Sequence, residues 1–193
     1  VKTASVCNIV TRVAEKLGLP VCDTPVGFKH VCELMLEEDI LIGGEESGGI
    51  GFKNHVPERD GILASLFILE MMAMKRKSLE EILVELRREF GEVHYDRIDL
   101  SYDKPDRMSL ILHLQSHPPS QVGSLNVEKI TTYQGVEVTN GIKFHFDDKR
   151  SWLLIRASET EPVIRIYAEA TSGDMAHKLL RHCLLYTSDA ADE

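Results

Sequence analysis

The stretch ILIGGEESGGIGF, residues 40–52, places a short apolar run directly before a segment rich in glycine, with two glutamates and a serine. Short apolar runs of this kind are typical of buried strands in a parallel sheet. Glycine loses more conformational freedom on folding than any other residue, so five glycines within this stretch need a reason. The segment is either a tight turn with solvated acids, or a loop whose backbone a ligand approaches closely.

The flanks of this stretch alternate between helix and strand patterns. Apolar periodicity predicts helices at residues 8–17, 28–37, 62–74 and 79–90, and short strands at 19–24 and 39–42. The segment 62–74 is apolar nearly all round, which predicts a helix buried on most sides. The sequence SLEE at 78–81 predicts a capping box, followed by a buried stripe on the helix. Together these patterns predict an α/β unit whose parallel sheet is incomplete, because two or three short strands cannot cover these helices.

The pattern changes near Gly91. Residues 93–101 alternate like a strand, a helix is predicted at 106–115, and strand-like runs follow at 125–132, 136–138, 142–146, 152–155 and 163–169. Asn140-Gly141 and Asp147-Asp148 are turn signals, and a last helix starts at Ser172 or Asp174. The second region is therefore predicted as an α+β domain, an antiparallel sheet with helices on one face.

We therefore expect two domains, at residues 1–91 and 92–183. Residues 184–193 are small and acidic, and we expect a disordered tail or one of non-native origin, similar to translated vector sequence. The chain opens without methionine, which suggests a piece of something longer.

Composition narrows the possible partners and the compartment. The net charge of −9 disfavours nucleic-acid backbones and anionic membranes. No apolar stretch reaches the roughly 18 to 20 residues of a membrane span, and no signal sequence opens the chain. The four cysteines form no CxxC pair, so we expect reduced, mostly buried thiols. These features predict a cytoplasmic globular protein.

A second candidate loop, RASETEP at residues 156–162, lies between two predicted strands. One arginine, two hydroxyl groups and several backbone N–H groups in a tight loop suit a phosphate, because the guanidinium offers a bidentate fork. The alternative is a plain hairpin with a surface ion pair. Arg165, further along the next strand, could face either way.

These two loops, together with TPVGFK at 24–29 and ERDG at 58–61, resemble motifs of the α-D-phosphohexomutase family, which includes phosphoglucomutases and phosphomannomutases. Residues 44–48 are similar to its sugar-recognition loop, G-E-x-S-G, and residues 156–162 to its phosphate-binding loop, R-x-S-G/N-T-x-P. The resemblance covers residues 1–183. It implies the end of the third domain and the fourth of four domains around a deep cleft.

The resemblance also implies what lies elsewhere in the family's full-length members. Their first domain carries a phosphoserine that exchanges its phosphoryl group with the sugar, and an Asp-x-Asp-x-Asp loop on the second binds magnesium. This sequence has no counterpart of either motif. We expect the missing N-terminal domains of the same polypeptide as partners, with Mg²⁺ and a hexose 1,6-bisphosphate activator. The chain alone is then expected to be inactive.

For the sugar, the resemblance implies that Glu45 and Ser47 bind the 3- and 4-hydroxyls. Lys29 is the one candidate catalytic residue, for phosphate contact or for proton transfer assisted by its charge, and the alternative is a solvent-facing lysine at a helix start.

For the phosphate, the resemblance implies that Arg156, Ser158 and Thr160, with the backbone N–H of Glu159, hold the phosphate that is not reacting. Such a clamp fixes the reacting end in line, where positioning supplies much of the rate. Glu159 stands where the family often has glycine or asparagine. We expect its side chain to point away from the phosphate and only its N–H to take part.

The motifs are compatible with more than one sugar. The doubled Glu45-Glu46 resembles phosphoglucomutases, and Gly49 replaces a histidine common in phosphomannomutase-type and phosphoglucosamine-type members. This favours glucose 1-phosphate and glucose 6-phosphate. The alternatives are a phosphomannomutase, a phosphoglucosamine mutase, or a noncatalytic sugar-phosphate-binding protein. His113 and His117 are expected to be a surface pair without a metal, since no third ligand is evident.

Overall fold

The structure, a computed structural model, describes residues 1–102, 107–135, 138–159 and 161–189 of the 193-residue chain. It forms two compact units, Val1–Glu92 and Val93–Glu193. Within the described residues, no helix combines the length and the apolar character needed to cross a membrane.

The first unit is a four-stranded sheet with helices, in the order β2-β1-β3-β4. Its elements are β1 (Lys2–Thr3), α1 (Ile9–Lys16), β2 (Asp23–Thr24), α2 (Phe28–Glu37), β3 (Ile42–Gly44), β4 (Ile50–Phe52), α3 (Gly61–Lys75) and α4 (Leu79–Phe90). Strand β1 pairs in parallel with β2 and β3, whereas β4 is antiparallel to β3. The predicted α/β alternation around short parallel strands is confirmed.

Local signals set the helix boundaries of this unit. Ser78 Oγ accepts a hydrogen bond from the N–H of Glu81, whose carboxylate accepts one from the N–H of Ser78, which is the predicted capping box. Helix α4 ends at Gly91, whose φ of 83° favours glycine. The boundaries predicted from caps and glycines are therefore confirmed to within a residue.

The strand predictions were less accurate. The candidate strand at 19–24 is reduced to β2, and the apolar run at 39–42 contributes only its last residue to β3. Strand β3 forms where α2 can pack closely on it. A Cβ at Gly43 would overlap Cγ1 of the buried Val31, so this strand needs a residue without a side chain.

The expected burial of α3 is wrong. Ala64 is its buried residue, whereas Ile62 and Met74 are each 78% exposed. The methionines at 71, 72 and 74 also lie outside the core, since the first two are only half-buried and the third is exposed. Phe67 packs on Phe52 with 4.7 Å between ring centroids, and the opposite face of the helix faces solvent.

The stripe predicted to be buried on α4 is only partly covered. Ile82 is buried, but Leu79 and Leu83 are more than 40% exposed. Apolar periodicity predicted the helix correctly, but burial also requires a neighbouring element to cover that face.

The second unit is a six-stranded antiparallel sheet in the order β5-β10-β9-β8-β7-β6. Its elements are β5 (His94–Ser101), α5 (Arg107–Ser116), β6 (Gln121–Val122), β7 (Leu125–Gln134), β8 (Thr139–Phe146), β9 (Trp152–Ala157), β10 (Val163–Ala170) and α6 (Gly173–Asp189). Alternate residues of β8, β9 and β10 form one core with the apolar faces of α5 and α6. The predicted α+β architecture with helices on one face is confirmed.

The turn predicted at Asn140-Gly141 is wrong, because both residues lie inside β8. Asp147-Asp148 does form the predicted turn, with Asp148 accepting hydrogen bonds from Ser151. Residues 103–106 and 136–137, which include parts of a predicted helix and strand, lie outside the described residues.

Three further expectations concern single residues or the terminal segment. Trp152, which its residue type alone would place in the core, is fully buried. Helix α6 continues through Asp189, so its backbone is helical over six of the ten residues for which the sequence predicted a tail. The four cysteines form no disulfide bond, and only Cys183 is buried, where burial raises the pKa of its thiol to about 12.

Candidate functional site

The glycine-rich loop is the tip of a β-hairpin between β3 and β4. Gly44 pairs with Ile50 in the last register position, and the N–H of Glu45 donates to the carbonyl of Gly49 over 3.0 Å. Gly48 has a φ of 88°, a conformation that side chains rarely adopt. Since β3 is parallel to β1, the loop leaves the carboxyl end of a parallel strand, the edge where ligands of open α/β sheets bind.

Glu45 points inward from this tip, and its side chain is only 8% exposed. Arg59 Nη1 lies 3.3 Å from Glu45 Oε2. Burial and the neighbouring Glu46 raise the pKa of Glu45, and Arg59 opposes that rise. The Glu45 carboxylate is therefore a partly dehydrated hydrogen-bond acceptor held by the guanidinium of Arg59.

Glu46 turns the other way. Its Oε2 accepts a 2.6 Å hydrogen bond from Ser5 Oγ, and Ser5 is fully buried just after β1. Ser47 is exposed at the tip of the loop. The two glutamates therefore differ: Glu46 is anchored on the sheet, whereas the Glu45 carboxylate and the Ser47 hydroxyl can accept hydrogen bonds from hydroxyl groups.

Gly49 faces the aliphatic part of Arg59. A Cβ at this position would lie 3.0 Å from Arg59 Cδ and 3.5 Å from Glu45 Oε2. Arg59 therefore occupies the space into which a side chain at position 49 would begin to extend.

Lys29 lies in the first turn of α2, directly after the loop that follows β2. Its side chain is exposed, and no described residue forms a hydrogen bond or ion pair with its ammonium group. The backbone N–H of Gly27, two residues earlier, acts to lower the pKa of Glu45, so the start of α2 and the hairpin tip lie at the same edge of the sheet.

The second candidate loop is also the tip of a hairpin, between β9 and β10. The N–H of Ser158 donates to the carbonyl of Val163 over 3.0 Å and closes the loop. Ser158 is buried, and its Oγ accepts from the N–H of Glu161, which leaves its O–H able to donate. Thr160 lies outside the described residues.

Arg156 is the last residue but one of β9 and lies on the face of the sheet opposite the helices. Its Nε is buried and has no hydrogen-bond partner among the described residues. Buried donors in native proteins are nearly always satisfied, so an orphaned guanidinium N–H marks a place for an acceptor. Arg165 stands directly across on β10 and pairs with Asp99 and Glu161.

Glu159 is held by the neighbouring strand. Asn140 Nδ2 donates to Glu159 Oε1 over 2.9 Å, and a Cβ at Gly135 would overlap that oxygen. The carboxylate therefore lies over a glycine, beside an amide, and Glu161 is paired with Arg165. Both acids of this loop are thus engaged by neighbouring side chains.

Two models of phosphoglucomutase/phosphomannomutase domains match this sequence. The α/β/α domain III matches residues 1–90, and the C-terminal domain matches residues 120–182. The chain belongs to the α-D-phosphohexomutase family.

Several family members are similar over most of this chain. A phosphoglucomutase/phosphomannomutase from Thermococcus kodakarensis is 33% identical, over 93% of this chain and 36% of its own length. A phosphoglucosamine mutase from Lachnoclostridium phytofermentans is 30% identical, over 89% and 34%. The crystal structure of pp63/parafusin, a phosphoglucomutase from Paramecium in its open form, superposes with a TM-score of 0.71 at 28% identity, over 97% and 36%. The chain spans about a third of the length of these relatives.

The described residues of this phosphohexomutase chain do not fit a magnesium ion. They contain no group of three histidine, cysteine or acidic side chains that could hold a metal. His113 and His117 stack at 5.0 Å between ring centroids on the exposed side of α5. No step is therefore assigned to a metal held by these residues.

The residues that support both loops are not apparent from the sequence. Ser5 and Arg59 contact the two glutamates of the first loop, and Asn140 and Arg107 contact the second loop. Arg59 lies in the motif ERDG, which by itself indicates no role for the arginine. Asn140 belongs to a dipeptide that predicts a turn, and nothing in the sequence marks Ser5 or Arg107.

Proposed function

We propose that this chain supplies the sugar and phosphate recognition of a phosphohexomutase that interconverts a hexose 1-phosphate and a hexose 6-phosphate. The observation that carries the proposal is the buried, unpartnered Nε of Arg156 at the start of a family phosphate loop. A guanidinium N–H that is already dehydrated and directed by a strand suits a phosphate oxygen, because little reorganisation remains to be paid for.

In this proposal Arg156, Ser158, Thr160 and the N–H of Glu159 bind the phosphate that is not reacting. The hydrogen bond from Asn140 to Glu159 supports it, because it holds the carboxylate against the neighbouring strand, whereas a carboxylate turned toward a phosphate dianion would oppose binding. Ser158 keeps an O–H for donation while its oxygen accepts from the loop.

Glu45 and Ser47 are the proposed readers of the 3- and 4-hydroxyls. The inward position of Glu45 and its anchoring by Arg59 support this role, since an ionised carboxylate with a fixed orientation accepts from two vicinal hydroxyls. Lys29 is retained as a candidate for phosphate contact or charge-assisted proton transfer, which its exposed ammonium allows.

We propose glucose phosphate as the preferred sugar, on the doubled glutamate of the first loop. Relatives named phosphomannomutase and phosphoglucosamine mutase support a second possibility, that mannose or glucosamine phosphate is preferred. The proposal also includes domain limits at 1–91 and 92–183 and further domains that precede this chain in the same polypeptide. Those preceding domains would bind Mg²⁺, and a hexose 1,6-bisphosphate would act as activator. The proposed location of the protein is the cytoplasm.

The test is calorimetric titration of glucose 1-phosphate and glucose 1,6-bisphosphate into the chain and into its Arg156→Ala variant. We expect a loss of at least tenfold in affinity, because a charge-assisted hydrogen bond contributes about 1.5–3 kcal/mol. Arg181→Gln, an exposed arginine on α6, is the matched control. Equal affinity of the parent and Arg156→Ala would refute the phosphate loop, and mannose and glucosamine phosphates in the same titration rank the sugars.

A further inference from the structure

Arg107, the first residue of α5, reaches the proposed phosphate loop from 51 residues away in the sequence. Its Nε donates to the backbone carbonyl of Ser158 over 2.5 Å, and its Nη2 donates to the carbonyl of Glu159 over 3.3 Å. One guanidinium thus bridges two successive carbonyls of the loop, which is geometry that a planar fork of donors permits and a lysine does not.

These contacts fix the direction of a peptide unit. The carbonyl of Ser158 and the N–H of Glu159 belong to one planar peptide, and no cis peptide bond occurs in the described chain. In a trans peptide the C=O and N–H groups point in opposite directions. Because the carbonyl of Ser158 points toward Arg107, the N–H of Glu159 points away from it.

The direction of this peptide unit matters for an anion. Backbone N–H groups that converge in a loop attract a phosphate, whereas a carbonyl oxygen turned toward the same place would repel it. Ser158 N–H is already committed to Val163 across the hairpin, and the Glu159 side chain to Asn140. Arg107 is the described contact that fixes the carbonyl side of this peptide.

We propose that Arg107 is a positioning residue for phosphate binding. It holds the two carbonyls of the loop on the α5 side, so that the N–H of Glu159 is presented to the phosphate. It does not contact the phosphate itself. This inference rests on the proposed function of the loop and names a residue outside the loop that the function requires.

The test compares Arg107→Lys, which keeps the charge without the fork, and Arg107→Gln, which removes the charge. The probe is inorganic phosphate, titrated into the ¹⁵N-labelled 193-residue chain and followed by amide NMR. In the parent chain we expect the Glu159 amide to shift on phosphate addition. In both variants we expect that shift to shrink and the affinity to fall roughly tenfold, the equivalent of about one hydrogen bond.

Two results would overturn the inference. One is phosphate binding at parent affinity in both variants, with an undiminished Glu159 shift. The other is full affinity in Arg107→Lys with loss only in Arg107→Gln, since charge alone would then account for the effect. Trp152 fluorescence confirms that each variant remains folded, and Arg181→Gln is the control for a lost surface charge.

Failure of the proposed function gives a different result. If the parent chain and Arg156→Ala respond equally to phosphate, the loop is not a phosphate site. If Arg156→Ala loses binding while both Arg107 variants keep it, the function stands and only the role of Arg107 falls. The chemical shift of the Glu159 amide without phosphate adds a separate measure, because it responds to the orientation of this peptide unit.

Discussion

The two units of this chain use similar apolar patterns and reach different degrees of burial. The second unit encloses one contiguous core between its sheet and two helices. In the first unit the described buried apolar residues are Ala4, Phe28, Val31, Ala64 and Ile82. Its longest helix, α3, leaves most of its apolar surface in water.

This contrast shows that the apolar pattern of an element and its burial are separate properties. Hydrophobic stabilisation scales with the area removed from water, about 25 cal/mol per Å², so an uncovered helix face contributes little. We therefore expect the second unit to carry most of the stability of the chain. The first unit should depend more on local devices such as caps and ion pairs.

The largest expected effect is on stability, and it comes from changing one isoleucine to alanine in each unit. Ile166→Ala removes a fully buried side chain from β10 and should cost about 2–5 kcal/mol. Ile62→Ala removes a side chain that is 78% exposed on α3, and should change stability by no more than about 0.5 kcal/mol.

Urea denaturation separates the two units in this comparison. Trp152, the single tryptophan, reports on the second unit by fluorescence, and amide NMR signals of α1 and α4 report on the first. A cost for Ile62→Ala as large as that for Ile166→Ala would show that α3 is covered and would remove the contrast.

An intermediate effect is expected at the helix caps. Ser78→Ala removes the capping box of α4 and should cost about 1 kcal/mol. Because much of the apolar face of α4 is exposed, this loss should appear as local opening, with hydrogen exchange of α4 amides roughly fivefold faster.

Ser172→Ala is the matched variant in the second unit, where Ser172 Oγ accepts from the N–H of Met175 at the start of α6. Helix α6 is held by Leu179 and Leu180 in the core, so its amides should open only with the whole unit. Similar local opening of both helices would contradict the proposed difference between the units.

The sequence predicted those elements whose signals are local. The capping box at Ser78 and the stop at Gly91 set the limits of α4, because each signal acts within a few residues. The predicted turn at Asn140-Gly141 was wrong because pairing with two neighbouring strands outweighed the preference of the dipeptide. Burial of α3 could not be predicted, since it depends on which other elements cover that helix.

The same difference between local signals and contacts with distant elements applies to the candidate site. Both loops could be found from the sequence, because their residue types and spacing lie within short segments. The residues that support them could not. Ser5 meets Glu46 across 41 residues, and Arg107 meets Ser158 across 51, and neither pairing leaves a local pattern. Contacts of this kind follow from the completed fold.

The smallest expected effect compares the two glutamates of the first loop. Burial and Glu46 raise the pKa of Glu45, so its ionised form opposes folding. Because the folded state binds this proton more tightly than the unfolded state, the first unit should lose stability as the pH rises from about 4.3 through the raised pKa, with no further loss above it. Glu45→Gln removes this dependence and should slightly stabilise the first unit at pH 7, while weakening glucose 1-phosphate binding.

Glu46→Gln is the control that sharpens this test, because Glu46 accepts the 2.6 Å hydrogen bond from buried Ser5. Its loss of charge should weaken that bond and destabilise the first unit, the opposite sign from Glu45→Gln. The measurement is the urea midpoint of first-unit NMR signals between pH 4 and pH 8. A destabilising Glu45→Gln would show that Glu45 is a structural residue, and parallel pH profiles for the parent chain and this variant would show that folding does not change the pKa of Glu45. If Glu45→Gln stabilises the first unit and Glu46→Gln destabilises it, the result would instead support a loop in which an ionised acceptor at Glu45 lowers the stability of the unit.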